Sequence, residues 1–512
     1  MSIITSNIIY DLVGLVIVIT ALTIVILYYK RAFNYWKNRN VPYLEATIPW
    51  GTLAAPHRRI VSLGEEITNI YKEAKIKGWK HFGFYILGSP IFMTTDLDTI
   101  KCILTKDFSH FVDRGINVNE KAEPITAHLF AIGGKKWRNL RTKFTPTFTS
   151  GKMRNMFQTL TDCGVKLEQY ILKEVSYHEP FDIKNILGNF STDIIGSCAF
   201  GLECNSFKDP NNPFRLMGNR IFNRTKLENL KFTITMNFPS LARLLRFKQL
   251  DPTLTEFFTK VVVDSVKYRE KNNVQRQDFL QLLIDMKNNK DGSEQPGDGN
   301  TLTIDEMVAQ CFVFFIAGFE TSSTTMTFVL YELSKHPKIQ EKVREEIVCI
   351  LKKHNGAVTY DSLSEMKYLR QVIDETLRKY PALPFITRKC VEDYVVPGTN
   401  VKIEKSVRVF IPIRGIHYDQ DYYENPEVFD PERFTDENKQ NRNSYAFIPF
   451  GEGPRICIGM RFGIMQSKVG LVSILKNFKV TLNKKTKEPL VFSTNSIIPQ
   501  VKGGVWLNLE KI

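Results

Sequence analysis

The stretch Phe447–Gly463, FIPFGEGPRICIGMRFG, holds four glycines, two prolines and a single cysteine between an apolar, strand-like run and an apolar, helix-like one. Glycine reaches backbone angles that other residues avoid. A loop so constrained therefore holds something close to its backbone. A lone cysteine is ordinarily a small core residue. Here Phe450, Gly453, Arg455, Cys457 and Gly459 complete the spacing F-x-x-G-x-R-x-C-x-G. That regularity marks Cys457 as a residue with a task.

Upstream, Thr303-Ile304-Asp305-Glu306 fits a capping box and opens a long helix. The run that follows, MVAQCFVFFIAGFETSSTTMTFVLYELSKH, is apolar nearly all round in its first half, so it belongs inside the protein. Glu320 and the hydroxyls at its centre argue against a membrane span. Thr321, Ser322, Ser323, Thr324 and Thr325 oppose helix propensity, which points to a functional site. Glu375-x-x-Arg378 and Glu341-x-x-Arg344 each place acid and base on one helix face. Such pairs are common on surfaces. Only the first is followed by KYPALPFITRKC, where Pro381 and Pro384 end the helix, and later by Pro431-Glu432-Arg433-Phe434. Trp137 and Arg141 share another helix face.

The chain has 512 residues, 43% of them hydrophobic, and a net charge of +15. This composition is globular. The charge favours anionic membrane surfaces or acidic partners; no nucleic-acid-binding module is present. Eight cysteines without paired spacing indicate a reducing compartment. Leu12–Tyr29 is an uncharged apolar run. At ~1.5 Å per residue it nearly crosses a hydrocarbon core of roughly 30 Å. Lys30, Arg31, Lys37 and Arg39 follow it, which orients the remainder toward the cytosol. The expected organisation is an anchor over 1–30, a stiff linker over 31–51 and one catalytic domain over 52–512. The linker contains VPYLEATIPWG. Phe82–Leu97 is a hairpin candidate around Gly88-Ser89-Pro90. Helices dominate from about 101 to 287, and NNKDGSEQPGDGN after them is an exposed loop. The fold class is mainly α with a small β portion.

The cysteine motif resembles the haem-binding loop of the haem-thiolate monooxygenases, the cytochrome P450 family. Ala317-Gly318-Phe319-Glu320-Thr321-Ser322 resembles that family's oxygen-binding groove, A-G-x-[DE]-T-[ST]. The motifs run in the family's order, from Trp137 through Thr321, Glu375 and Arg433 to Cys457. KFTPTFTSGKMRNMF and PFGEGPRICIGMRFG look most like the insect microsomal members that oxidise plant toxins and insecticides. The resemblance implies haem b with Cys457 as axial iron ligand. Backbone N–H groups and the helix after Gly459 would favour thiolate. It further implies that Trp137, Arg141, Arg388, Phe450, Arg455 and Gly459 hold the haem, with arginines on its propionates. Gly318 would leave room for a diatomic ligand, and Thr321 and Glu320 would deliver protons. Glu375, Arg378 and Arg433 would brace the cysteine loop. Phe111, Phe314, Ala317, Leu383 and Ile386, with Ser493–Asn495, would line an apolar substrate pocket.

The activity so implied is insertion of one oxygen atom from O2 into an apolar small molecule. Electrons would come from NADPH through a diflavin reductase, since the chain has no dinucleotide fingerprint of its own. A small b-type cytochrome is a further partner, and the endoplasmic reticulum membrane is the location. Phe232–Phe247, mixing apolar residues with Arg243 and Arg246, is a candidate for dipping into the lipid surface. Rival readings are oxidation of an endogenous lipid or hormone, a reductase-independent haem-thiolate isomerase, and a membrane-anchored haem sensor. Thr321 argues against the last two.

Overall fold

A computed structural model describes residues 2–55, 58–209, 211–288 and 302–512. The helix Ile304–Lys335 runs through the middle of the molecule. Thr303 caps it as its sequence predicts: the Thr303 hydroxyl accepts from Glu306 N at 3.2 Å and Glu306 accepts from Thr303 N at 3.1 Å. Met307, Val308, Cys311, Phe312, Phe315 and Phe319 of its apolar half are buried. Helices Ile183–Ile195, Pro252–Asn272, Lys367–Lys379 and Met460–Leu475 pack around it. This helix is long and apolar enough to span a membrane, yet it is the core of the body.

Nine strands occur among the described residues: β1 (His81–Ile86), β2 (Ser89–Thr94), β3 (Phe181–Asp182), β4 (Ile386–Lys389), β5 (Tyr394–Val395), β6 (Lys402–Ile403), β7 (Arg408–Ile411), β8 (Phe478–Leu482) and β9 (Trp506–Lys511). The main sheet has the order β1-β2-β7-β4, with β2 and β7 parallel and the outer pairs antiparallel. The expected hairpin forms, with a tighter turn than expected. Ile86 pairs directly with Ser89, so Leu87 and Gly88 make the turn, and Leu87 adopts a φ of 53°. A second sheet has the order β3-β9-β8, and β5 pairs with β6. One hydrophobic core gathers the helices and a second lies around the main sheet. Phe447, at the start of the cysteine loop, packs against both.

The apolar N-terminal run forms the helix Ser2–Phe33. Leu15, Ile19, Leu22 and Ile26 along it are exposed. Most of residues 31–51, the expected stiff linker, is built onto the edge of the sheet. Leu44 N donates to Gly83 O at 3.0 Å, Gly83 N to Pro42 O at 2.8 Å and Thr52 N to Tyr85 O at 2.8 Å. Trp36 is fully buried against Gly83, where a side chain would collide with the indole. The unpaired edge of β1 and an apolar indole both gain by this docking. Phe232–Phe247 falls in two short helices, Lys226–Asn237 and Pro239–Leu244, broken at Phe238, with Leu241, Leu244 and Leu245 exposed. The polar Gly/Pro run after Asn288 lies outside the described residues.

Candidate active site

Between the central helix and the cysteine loop lies a mostly apolar cavity. Its floor is the loop itself. Gly451 and Gly453 adopt φ of 74° and 75°, and a Cβ on Gly453 would sit 1.9 Å from Leu104 O. Only glycine closes this turn. Cys457 N donates to Phe450 O at 2.9 Å. The Cys457 thiol opens into the cavity and is otherwise deep in the protein. Burial pushes its pKa up. The Gly459 N–H, followed by Arg141 and Arg114, acts in the opposite direction. The helix Met460–Leu475 starts immediately beyond, so its positive end also faces the sulfur. Phe450 and Gly459 line the same cavity.

Three arginines, Arg114, Arg141 and Arg455, line the cavity, and Arg388 stands beside Arg114 and Arg455 without lining it. Arg141 donates to Ile456 O at 2.8 Å, Arg455 to Ile132 O at 2.7 Å, Arg114 to Arg455 O at 3.2 Å and Arg388 to Thr387 O at 2.9 Å. The Arg455 guanidinium stacks 4.2 Å from the centre of the Trp137 ring. These side-chain bonds go to backbone carbonyls, and no carboxylate pairs with any of the four among the described residues. Arg114 Nε, Arg455 Nε and both Nε and Nη2 of Arg388 are buried donors without acceptors. Burial pushes Arg455 down to about 9 and Arg114 to about 10. Burial, with Arg114 and Arg455 alongside, holds Arg388 far below the usual arginine range. Cations this desolvated require an anion. A planar ligand carrying carboxylates beside a metal for Cys457 fits this donor set. Arg114 was not singled out by any sequence motif; only the fold brings it to Arg455.

The roof of the cavity is one face of the central helix, with Phe314, Ala317, Gly318 and Thr321. Leu383 and Ile386 line a wall, as expected. The Thr321 hydroxyl donates back to Ala317 O. Glu320 points elsewhere. Its carboxylate meets Lys184 Nζ at 3.0 Å and accepts from Gln500 Nε2 at 3.1 Å, away from the residues lining the cavity. Glu320, expected to deliver protons together with Thr321, is thus held by Lys184 and Gln500 and does not line the cavity. Gly318 has a packing reason beyond open space. A Cβ there would lie 2.2 Å from Ile195 Cδ1, so its bareness lets the helix Ile183–Ile195 close on the central helix.

Glu375, Arg378 and Arg433, the residues expected to brace the loop, come together. Arg378 Nε and Glu375 form an ion pair at 2.7 Å with both side chains fully buried, and Arg433 Nε stands 3.6 Å from Glu375. Arg378 Nη1 also donates to His417 O at 3.0 Å. The His417 ring continues the chain toward the cysteine loop: its Nε2 accepts from Ile448 N at 3.2 Å, and its Nδ1 lies 3.2 Å from Arg378 O. Burial, then the Arg378 charge, pushes His417 down to about 3. The ring is therefore neutral with its proton on Nδ1, the only tautomer that satisfies both bonds. No sequence motif pointed to His417.

Two expectations for the pocket fail. Phe111 is fully buried beside Tyr394, with ring centres 4.9 Å apart, and belongs to the sheet core. The short turn of helix Phe108–Phe111 rotates it there, and Arg114 three residues on reaches the cavity instead. Ser493–Asn495 lie apart from the cavity lining, held by a bond from Ser493 N to Gln500 O.

Comparison with known proteins agrees with this geometry. The family model for cytochrome P450 matches residues 56–507. The chain is 42% identical over 496 residues to the probable cytochrome P450 6a14 of Drosophila melanogaster, covering 94% of this chain and 96% of that protein. It is 41% identical over 495 residues to cytochrome P450 6a2 of the same fly, covering 94% and 96%. To cytochrome P450 6A1 of Musca domestica it is 40% identical over 492 residues, covering 95% and 96%.

Proposed function

This chain belongs to the cytochrome P450 family, the haem b monooxygenases, and from that premise we propose that it is a membrane-anchored oxidase of apolar foreign compounds such as plant toxins or insecticides. One observation carries the reading. A single, largely apolar cavity has Cys457 in its floor, Thr321 in its roof and unneutralised arginines at its edge. Haem held there by Cys457 supplies the activation of O2 for transfer of one oxygen atom.

The chain's own residues have distinct tasks. Arg141, Arg388 and Arg455, joined by Arg114, would hold the haem carboxylates, which would offset their desolvation cost. Trp137 supports Arg455 by stacking, and Phe450 shields the sulfur. Phe314, Ala317, Leu383 and Ile386 exclude water and orient an apolar substrate. Thr321 Oγ1 holds a proton at the cavity face. Lys184, partly exposed, holds Glu320 in an ion pair outside the cavity lining. Glu375, Arg378 and Arg433 fix the loop.

Electrons arrive from NADPH through a diflavin reductase, with a small b-type cytochrome as an auxiliary donor. The basic body suits an acidic partner. The exposed apolar helix followed by Lys30 and Arg31 supports a single span in the endoplasmic reticulum membrane with the body in the cytosol. The test is the carbon monoxide difference spectrum of the reduced protein, followed by reductase-dependent turnover of a toxin panel. A strongly red-shifted Soret band in the wild type, absent in Cys457→Ser, is expected. Retention of that band in Cys457→Ser would remove the cysteine from the iron. Turnover confined to endogenous lipids, or turnover without reductase, would favour the corresponding rival.

A further inference from the structure

A second cleft, of about 1020 Å³, opens beside the end of the apolar N-terminal helix. Tyr28, Arg31 and Tyr35 form one wall. The hairpin tip Gly88–Pro90, the loop around Gly115 and the helix end Met236–Asn237 form others, with β4 and β7 behind. Six cations line it: Arg31, Arg39, Lys136, Lys389, Lys405 and Arg408. Its three carboxylates are already engaged. Glu404 takes Arg39 at 2.8 Å and the Tyr35 hydroxyl at 2.9 Å, Glu120 takes Lys136 at 2.8 Å, and Asp113 accepts from Gly134 N at 2.8 Å. Arg31, Lys389, Lys405 and Arg408 have no carboxylate partner among the described residues. Arg408 lies deep in the wall, its side chain bonded to the neutral amide oxygen of Asn237. Burial alone pushes its guanidinium down to about 10.

We propose that this cleft binds the phosphate headgroup of an anionic glycerophospholipid from the membrane that holds the N-terminal helix. The inference rests on the membrane-anchored reading above. Position selects lipid over a soluble anion. The cleft begins at Tyr28 and Arg31, where the apolar run gives way to charge, so it lies at the level of headgroups. Ile116, Val118, Met236 and Pro239 offer apolar wall for the glycerol end of the acyl chains. The unpaired cations supply the counter-charge for the phosphate, and the Arg408 fork suits its oxygens.

The experiment uses the full-length holoenzyme on vesicles of phosphatidylcholine and on the same vesicles doped with phosphatidylserine. Flotation is scored first, and the lipid retained after detergent extraction is then identified. The wild type should float on both and retain one phosphatidylserine. Arg408→Gln and the double variant Lys389→Gln/Lys405→Gln should float and keep the wild-type carbon monoxide band, yet retain phosphatidylserine about tenfold less well. Arg408→Lys should keep most of the retention, which separates charge from packing. Unchanged retention in both neutralised forms overturns the proposal. So does displacement by millimolar inorganic phosphate, which would make this a soluble-anion site. A wild type that floats on both vesicles but retains no phosphatidylserine sinks the headgroup site alone; one that floats on neither sinks the anchored reading as well.

Discussion

Thr321 and Glu320 are adjacent in the chain but meet different surroundings. Thr321 lines the cavity, while Glu320 is held by Lys184 and Gln500. Of the two, Thr321 is the one that can hand a proton directly to the cavity. Positioned proton transfer contributes on the order of 10²-fold or more to a reaction. Thr321→Ala should therefore keep haem and the red-shifted carbon monoxide band. Substrate oxidation should fall by as much as that factor while NADPH consumption continues, with the difference released as hydrogen peroxide. Simultaneous assay of NADPH, product and peroxide reads the coupling, and an unchanged ratio would take Thr321 out of the proton path.

At the scale of elements, two glycines decide how parts meet. Alanine at an exposed helical position is worth about 1 kcal/mol over glycine. At Gly318 the added methyl would overlap Ile195, and overpacking costs about 1–3 kcal/mol. Gly318→Ala should thus be neutral to destabilising by about 2 kcal/mol. Ile195→Ala should cost about 2–5 kcal/mol by leaving a void. The double variant should be less damaged than the sum by about 1 kcal/mol or more, because each change relieves the other. Urea midpoints of the four proteins complete that cycle, and strict additivity would mean that these helices do not touch there. Gly453 allows no such relief. Its φ is positive and the obstacle is the Leu104 carbonyl. Gly453→Ala should open the cysteine loop and sharply lower haem incorporation, measured as haem per polypeptide; normal loading would show that the loop has another closed form.

Across the whole molecule, stability should depend on two buried histidines. Burial pushes His417 down to about 3 and His128 down to about 4, against an ordinary value of about 6.5. Below about pH 6.5 the unfolded chain takes up protons that the folded one refuses, so stability falls with falling pH. Each histidine contributes about 1.4 kcal/mol per pH unit until its own folded value is reached. Above pH 6.5 neither contributes. His417→Gln should be less stable at neutral pH, having lost part of the link between Arg378 and Ile448, yet show a shallower acid slope. Denaturant midpoints measured from pH 7 to 5 test this, and parallel slopes would mean that His417 is protonated in the folded protein.

Much of this protein was legible in its residues. The capping box at Thr303, the buried half of the central helix, the apolar N-terminal run and the Glu375–Arg378 pair are signals carried within a few positions of one another. Local backbone geometry and hydrophobic period are enough to express them. The spacing around Cys457 was equally local, because the turn and its thiol share one short loop. What the sequence left open were partnerships across the chain. Lys184 and Glu320 lie 136 positions apart, and Arg114 and Arg455 lie 341 apart. Phe111 was placed in the pocket, but a single turn of helix rotates it into the sheet core. Residues 31–51 have the prolines of a spacer, yet an unpaired strand edge and a bare glycine at position 83 draw them in. No local pattern encodes such contacts. They exist because burying apolar surface brings distant segments together, and each polar group caught in that burial then takes whatever partner the packing presents.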